Sequence, residues 1–271
     1  MSRLTVCRLG PSDIGALSRL LEMDVLRNAY LRSELRMGLG SGTWWGLAHG
    51  AELSAVLLGG PLVVPWVPEP DDGPRIADAL RHQAPPRMIV GPRESVLTLH
   101  EVARPRRDPE EVRDPQPLLA LRRGQCGHLT RVPVRRGTRA DLDALTLAAA
   151  AMHREEMGVD PLLVDAAGWR ARMTSLIDRG WSYVWMEGGE VIFKVELSAW
   201  TPEAVQLQGV YTAHGRRHQG VGTAGMASVC ADIFREVPLC SLYVNAYNEA
   251  ALRLYSRLGF EPAGNFATVI Y

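Results

Sequence analysis

Apolar positions in the second half of the chain recur at helical and at strand spacing, and they predict a definite series of elements. Residues three and four positions apart are apolar along Leu142–Met157 and Asp165–Gly180, which is the spacing of an amphipathic helix. β-rich runs on both sides of Gly188 and Gly189 predict a hairpin. From Val132 onward the predicted order is strand, two helices, three antiparallel strands, helix, strand, helix and strand. The later elements are the strands Trp181–Glu187, Glu190–Trp200 and Ala204–Thr212, the helix Val221–Val237, the strand Cys240–Asn245, the helix Asn248–Gly259 and the strand Phe266–Tyr271.

The first half shows a similar but less regular pattern. Both halves open with a short β-rich run, a polar turn and a helix introduced by an aspartate, Asp13 or Asp141. Thr138 and Asp141 have the spacing of a capping box. These matching starts predict an internal repeat of domain length. The remaining predicted elements are the helix Ser12–Met23, the strands Thr43–His49, Ser54–Gly60 and Pro61–Val67, the helix Arg75–His82, the strand Arg87–Gly91 and the helix Arg93–Val102.

A charged, proline-rich stretch separates the two halves. Ala103–Pro117 and the polar run Arg122–His128 have the composition of a linker or a domain edge. We therefore predict two domains, residues 1–125 and residues 129–271.

Composition narrows the class of protein without identifying it. The 271 residues include 30 basic and 30 acidic side chains, so no charge excess points to nucleic acid or to a membrane surface. The N-terminus has no apolar leader, and glycines and prolines break the longest apolar run, so we expect a cytoplasmic protein that is a monomer or homodimer. The four cysteines lack the spacing of a metal site or of a disulfide framework.

The glycine-rich stretch Tyr211–Met226 carries the candidate chemistry. Its G-x-G-x-x-G spacing, at Gly220, Gly222 and Gly225, is that of a dinucleotide-binding turn. A Rossmann turn would need its first glycine at the end of the strand and an acid about 20 residues later, and neither is present. A P-loop would need Lys and Ser or Thr where Val221 and Gly222 stand.

The same stretch resembles the pyrophosphate loop of the GNAT acyl-CoA N-acetyltransferases. Arg217, Gly220 and Gly222 match the pattern R/Q-x-x-G-x-G/A between a strand and a helix. A second GNAT motif, N-x-x-A-x-x-x-Y-x-x-x-G-F, is matched by Asn248, Ala251, Tyr255, Gly259 and Phe260. The resemblance covers about Val132 to Tyr271, and the less regular first half resembles that of tandem-GNAT proteins of actinobacterial type.

This resemblance implies the fold and the cofactor site. The fold is of the α/β (α+β) class, with two GNAT-like domains, each a mixed, mostly antiparallel sheet flanked by helices. The second domain binds acetyl-CoA, because glycines and the free N–H groups of a helix start can approach a diphosphate. The first domain lacks this loop and has Glu69, Asp71 and Asp72 there instead. The implied cofactor-binding residues are Val210, Tyr211, Thr212, Arg217, His218, Gln219, Gly220, Val221, Gly222, Thr223, Asn245, Asn248 and Ala251.

Two residues, Tyr255 and Glu196, are candidates for catalysis. By the resemblance, Tyr255 protonates the departing thiolate of CoA; the alternative is a tyrosine that only packs in the core. Glu196 is a candidate general base, and the alternative is an ion pair with Lys194 or with a cross-strand arginine. The expected activity is acetyl transfer to a primary amine of a small molecule, an aminoacyl group or a protein, without a metal. The alternative function is that of a non-catalytic sensor or regulatory protein that binds acyl-CoA.

Overall fold

The computed structural model describes residues 4–103, 108–125 and 132–271. These residues form two compact units, and neither is one continuous segment. The described residues of unit 1 lie within Met1–Leu119, Tyr243–Glu249 and Pro262–Tyr271, and those of unit 2 within Ala120–Leu242 and Ala250–Glu261. A single boundary between residues 125 and 129 therefore does not reproduce this division, since the last strand is grouped with unit 1. Most of the predicted boundary itself, with Cys126, lies outside the described residues.

The elements are numbered here in chain order. The strands are β1 (Thr5–Arg8), β2 (Thr43–His49), β3 (Glu52–Gly59), β4 (Leu62–Trp66), β5 (Met88–Pro92), β6 (Glu111–Arg122), β7 (Arg135–Arg136), β8 (Ser182–Glu187), β9 (Glu190–Trp200), β10 (Val205–Thr212), β11 (Leu239–Tyr243) and β12 (Glu261–Ile270). The α-helices are α1 (Ile14–Glu22), α2 (Ala29–Arg36), α3 (Gly73–Ile76), α4 (Arg93–Ala103), α5 (Leu142–Met157), α6 (Pro161–Asp178), α7 (Val221–Ile233) and α8 (Glu249–Leu258).

Unit 1 is a mixed sheet with helices packed on both faces. Its strands lie in the order β1-β2-β3-β4-β5-β12-β6, where β1 to β4 are antiparallel, β5 is parallel to β4, and β12 is antiparallel to β5. Leu17 and Leu21 of α1 pack with Trp44 of β2 in one apolar cluster. Leu99 of α4 packs with Leu57 of β3 in the other. Adjacent residues of a strand point to opposite faces of the sheet, so a single strand can contribute side chains to both clusters.

Unit 2 repeats this plan. Its strands lie in the order β11-β10-β9-β8-β7, where β7 to β10 are antiparallel and β11 is parallel to β10. Leu145 of α5 and Ile177 of α6 pack with Val184 of β8 in one apolar cluster. Helix α7 approaches β9 closely, because a Cβ placed on Gly225 would lie 2.6 Å from the Phe193 ring. In each unit, a strand, two helices and three antiparallel strands precede a helix and a parallel strand.

The predicted fold class is therefore confirmed: the chain is a mixed α/β protein with mostly antiparallel sheet flanked by helices. The differences from the sequence-based elements include a new helix, a new strand and several shifted bounds. Helix α2 was not predicted, and β6 occupies part of the stretch that we predicted as a linker. Helix α6 begins before the predicted start at Asp165, whose non-helical φ of −153° marks a kink. Its carboxylate accepts a hydrogen bond from the backbone N–H of Gly168 at 2.8 Å, so it caps the part of α6 that the pattern predicted.

None of the helices in the described ranges combines the length and the apolar character needed to cross a bilayer.

Candidate active site

The glycine loop connects β10 to α7. After Thr212 the chain forms a short 3-10 turn at His214–Arg216, and α7 begins at Val221. Gly220 directly before the helix has φ of +79°, and His218 is the non-glycine residue of the described chain with a positive φ, +62°. The first N–H groups of a helix have no partner within it and point outward from its start, where they attract an anion. A Cβ placed on Gly220 would meet no atom within 4 Å, so the space beside this helix start is open.

Arg217 is held by three neighbours on the loop side of unit 2. Its Nε donates to the backbone oxygen of Thr212 at 3.1 Å, and its Nη2 donates to Oε2 of Glu155 at 2.5 Å. Its guanidinium lies 5.9 Å from the centre of the Tyr211 ring. Gln219 donates to the backbone oxygen of Gly215 at 2.9 Å. Arg217 therefore braces the loop as well as adding positive charge to it.

Gly222 is required by packing inside the protein. A Cβ there would lie 2.9 Å from Cδ1 of Leu254 on α8 and 3.0 Å from Oγ1 of Thr212. The start of α7 therefore lies against both the end of β10 and helix α8. Of the two motif glycines, only Gly220 faces open space.

Strand β10 changes course just before the loop. Gln208 pairs with Glu196 and Tyr211 pairs with Lys194, so Gly209 and the next residue, Val210, together oppose one residue of β9. Gly209 has φ of +58°, the left-handed conformation that a glycine bulge uses.

The two parallel strands of unit 2 pair over a short length. Within the described residues, the pairing of β10 with β11 covers Val205 and Gln206. The backbone of Val210, Tyr211 and Thr212 therefore has an edge that faces away from β9 and that β11 does not occupy. An extended ligand with amide groups could pair with this edge as an added strand does.

Glu196 is fully buried and doubly ion-paired. Its Oε1 accepts from Lys194 Nζ at 2.7 Å, and its Oε2 accepts from Arg172 Nη2 at 2.7 Å. Burial alone would raise the pKa of Glu196, but the charges and hydrogen bonds of Lys194 and Arg172 outweigh burial and lower it. Of the two alternatives from the sequence, the structure contains the ion pair. Both oxygens of this carboxylate are engaged, which argues for a structural role, and its role as a general base stays a prediction.

Tyr255 lies on α8, one residue after the leucine that contacts Gly222. Its side chain is buried, with 6% exposure, and its ring centre is 5.6 Å from that of Phe260. Burial raises the pKa of Tyr255, and the negative charge of Glu156 raises it further. The hydroxyl therefore stays protonated through the physiological pH range.

The remaining predicted cofactor residues are divided between the two units. Asn245 and Asn248 lie in the segment grouped with unit 1, whereas Ala251 lies on α8 within unit 2. Asn245 accepts a hydrogen bond from Gln116 Nε2 at 2.8 Å and donates to the Tyr247 hydroxyl at 2.8 Å. Asn248 directly precedes α8.

Sequence reasoning missed three residues that the fold brings to this region. Glu155 and Glu156 at the end of α5 act on the loop arginine and on Tyr255, and Arg172 of α6 holds Glu196. The sequence shows the two adjacent acids, but it does not show that the end of α5 meets a loop some 60 residues later. Helices α5 and α6 also line an open surface cavity of about 260 Å³. Its lining includes His153, Val159, Pro161, Val164 and Trp169.

In unit 1 the segment at the equivalent place has a different character. Helix α3 spans only Gly73–Ile76 and follows the acids Asp71 and Asp72. Asp72 is buried and pairs with Arg75 at 3.3 Å. Carboxylates at a helix start repel phosphate, so this segment lacks the chemistry of the glycine loop.

Comparison with known proteins agrees with the motifs. Residues 151–260 match the model of the Acetyltransferase (GNAT) family, and residues 42–145 match a Domain of unknown function, DUF4081. No protein of curated function is significantly similar to the chain in sequence.

Solved structures resemble nearly the whole chain. An acetyltransferase of the GNAT family from Colwellia psychrerythraea is 12% identical, with 98% of this chain and 99% of that chain covered and a TM-score of 0.63. A GCN5-related N-acetyltransferase from Sphaerobacter thermophilus is 17% identical, with 98% and 94% covered and a TM-score of 0.62. A tandem GNAT protein from the clavulanic acid biosynthesis pathway is 14% identical, with 98% of both chains covered and a TM-score of 0.61. At these identities the likeness shows the fold. The predicted resemblance is thus confirmed: the chain contains a GNAT acetyltransferase domain, matched over residues 151–260, after a first half that matches DUF4081.

Proposed function

We propose that the protein is an acetyl-CoA-dependent N-acetyltransferase that transfers the acetyl group directly to a primary amine. Unit 2 carries the activity, and unit 1 is a supporting domain without a CoA site. The observation that carries the proposal is the start of α7, where Gly220 adopts a left-handed conformation beside open space. The outward N–H groups and the helix dipole of such a start suit a diphosphate.

The charge and the backbone of the residues around this helix start support the binding of acetyl-CoA. His218, Gln219, Gly220, Val221, Gly222 and Thr223 offer the diphosphate their backbone, and Arg217 adds a positive charge beside them. The free edge of Val210, Tyr211 and Thr212 pairs with the amides of the pantetheine arm. Asn245, Asn248 and Ala251 are proposed to contribute from the second motif, as the resemblance implies.

Acetyl-CoA, when bound, supplies an activated thioester. The N–H groups at the β10 bulge polarise its carbonyl, which favours attack by a neutral amine. Tyr255 donates its proton to the departing sulfur, since its hydroxyl is protonated at neutral pH.

Both oxygens of Glu196 accept hydrogen bonds from Lys194 and Arg172, so we propose that another group receives the proton of the acceptor amine. We assign this role to Glu156, which is exposed at the end of α5 and whose charge acts on Tyr255. An exposed carboxylate can pass the proton to solvent. Glu196 then positions the strand instead of exchanging protons.

One observation favours a second function, that of a non-catalytic acyl-CoA sensor. The carboxylate of Glu196 on β9 is held in ion pairs with Lys194 and Arg172. An acceptor screen that measures free thiol from acetyl-CoA separates the two functions. The screen should cover small amines, aminoacyl compounds, peptide N-termini and lysine peptides. The enzyme releases thiol in proportion to one class of amine. A sensor binds acetyl-CoA and shows no amine-dependent release with any class.

A further inference from the structure

We propose that the buried pair Lys194 and Glu196, together with the partly exposed Arg172, forms a positioning network that fixes the bulge of β10 and so sets the affinity of unit 2 for acetyl-CoA. This inference rests on the proposed function, because it concerns the strand assigned to the pantetheine arm. None of the three residues touches the reacting atoms in this proposal.

The contacts of Lys194 lead directly to the bulge. Its Nζ donates to Oε1 of Glu196 at 2.7 Å and to the backbone oxygen of Gly209 at 3.0 Å. Both Lys194 and Glu196 are 0% exposed. A Cβ placed on Gly209 would lie 3.2 Å from the Glu196 carboxylate and 3.3 Å from Lys194 Nζ. The ion pair therefore fills the space immediately beneath the bulge and holds its carbonyl.

The composition of the chain singles out Lys194. It is the only lysine of the protein, whereas the other 29 of the 30 basic residues are arginines. An ammonium is a compact charge on a slender stem, and a guanidinium is a broad planar group. The space between Glu196 and the Gly209 carbonyl suits the compact group. We infer that this position requires lysine in a chain that uses arginine everywhere else.

Arg172 extends the network to helix α6. Its guanidinium lies 5.2 Å from the centre of the Trp169 ring, and its Nη2 holds the second oxygen of Glu196. Trp169 lines the cavity between α5 and α6, where its ring centre is 5.1 Å from that of His153. A continuous series of contacts therefore joins this cavity to the strand proposed for acetyl-CoA.

The test must separate positioning from general stability. Removal of one member of a buried ion pair leaves an uncompensated charge and can prevent folding, whereas removal of both charges is far better tolerated. The informative variant is therefore Lys194→Met combined with Glu196→Gln, because the glutamine oxygen still accepts from Arg172. Thermal unfolding and circular dichroism establish that this double variant is folded.

Two measurements then apply to the folded double variant. Amide hydrogen exchange across residues 205–213 of the free protein should accelerate at least tenfold, because the bulge carbonyl has lost its donor. The Kd for acetyl-CoA by calorimetry should rise at least tenfold. The matched control is Asp141→Asn. It breaks the 2.7 Å hydrogen bond between Arg135 and Asp141, two residues that lie away from strand β10. It should lower stability while leaving both the exchange and the Kd within twofold of wild type.

A double variant that is folded and binds acetyl-CoA within twofold of wild type would overturn the proposal. Lys194→Arg should behave like the double variant, since a guanidinium does not suit the space, and full affinity in that variant would also count against the network. If the wild-type protein does not bind acetyl-CoA, the proposed function fails. The network then stands or falls on the exchange measurement alone.

Discussion

Arg217 of the glycine loop and Glu155 at the end of α5 form a hydrogen-bonded ion pair, with 2.5 Å between Nη2 and Oε2. The side chains are 36% and 43% exposed, so water and salt weaken their attraction. A phosphate group that approaches this loop competes with the carboxylate for Arg217. The carboxylate also repels the phosphate, since both are negative.

Glu155→Gln should therefore bind acetyl-CoA more tightly, not less. Exposed ion pairs of this kind contribute about 0.2 to 1 kcal/mol, which predicts an affinity gain of roughly 1.5- to 5-fold and little change in stability. Calorimetry at low salt measures the difference. Asp178→Asn, which breaks another exposed pair, with Arg139, is the control and should leave the affinity unchanged. Weaker binding by the Glu155 variant would mean that the carboxylate supports the loop geometry.

Tyr255→Phe should keep the affinity for acetyl-CoA and lower the turnover rate. The ring packing is retained, while the proton donor to the thiolate is lost, and general acids contribute about 100- to 10,000-fold. Turnover by thiol release, with an acceptor from the screen, measures the effect. A packing role predicts near-normal turnover in Tyr255→Phe and loss only in Tyr255→Ala, through a cavity that costs about 3 to 5 kcal/mol.

Glu156→Gln should reduce turnover most strongly at low pH. If Glu156 takes the proton of the amine, the glutamine variant can use only the fraction of the amine that is already deprotonated in solution. Its turnover rate should therefore rise steeply with pH. The pH profile of kcat/KM for wild type and variant is the measurement. Superimposable profiles would assign proton removal to solvent without help from this side chain.

Asp141 should make the free energy of unfolding depend on pH in the acid range. A hydrogen bond from Arg135 holds the pKa of Asp141 well below its ordinary 3.8; burial opposes this shift, and hydrogen bonds from Thr138 add to it. Since the unfolded chain binds this proton more readily, the stabilisation is fully present above about pH 5 and is lost as the pH falls toward the folded pKa. Asp141→Asn should lower the free energy of unfolding by about 1 to 2 kcal/mol at pH 7. The free energy of unfolding of this variant, measured with urea, should decline less steeply below pH 5 than that of wild type. An unchanged slope would remove Asp141 from the acid response.

The local chemistry of the chain was predictable from sequence. Strand β9 and helix α5 have the bounds that the apolar pattern predicted, because each has one period and clear ends. The capping box at Thr138 formed as expected, with its N–H donating to Asp141 at 2.8 Å. The glycine loop stands between a strand and a helix, as its motif requires.

Long-range pairing was not predictable in the same way. The stretch now seen as β6 is charged and contains prolines, a composition that favours a linker over a strand. Nothing local shows that β12 completes the sheet of unit 1. The sequence offered Lys194 as a partner of Glu196, but the other partner, Arg172, comes from helix α6, so this contact could be recognised only in the fold.

The central claim is tested most directly by acetyl-CoA titration of the full chain in a calorimeter, with Gly220→Ala and Gly188→Ala beside wild type. Both glycines have a left-handed φ and open space around a Cβ, so both alanines introduce the same strain of about 1 kcal/mol. Only Gly220 lies at the start of α7. The account predicts one acetyl-CoA per wild-type chain, unchanged affinity in Gly188→Ala and at least tenfold weaker binding in Gly220→Ala. Equal affinity in the two variants, or two sites per chain, would contradict it.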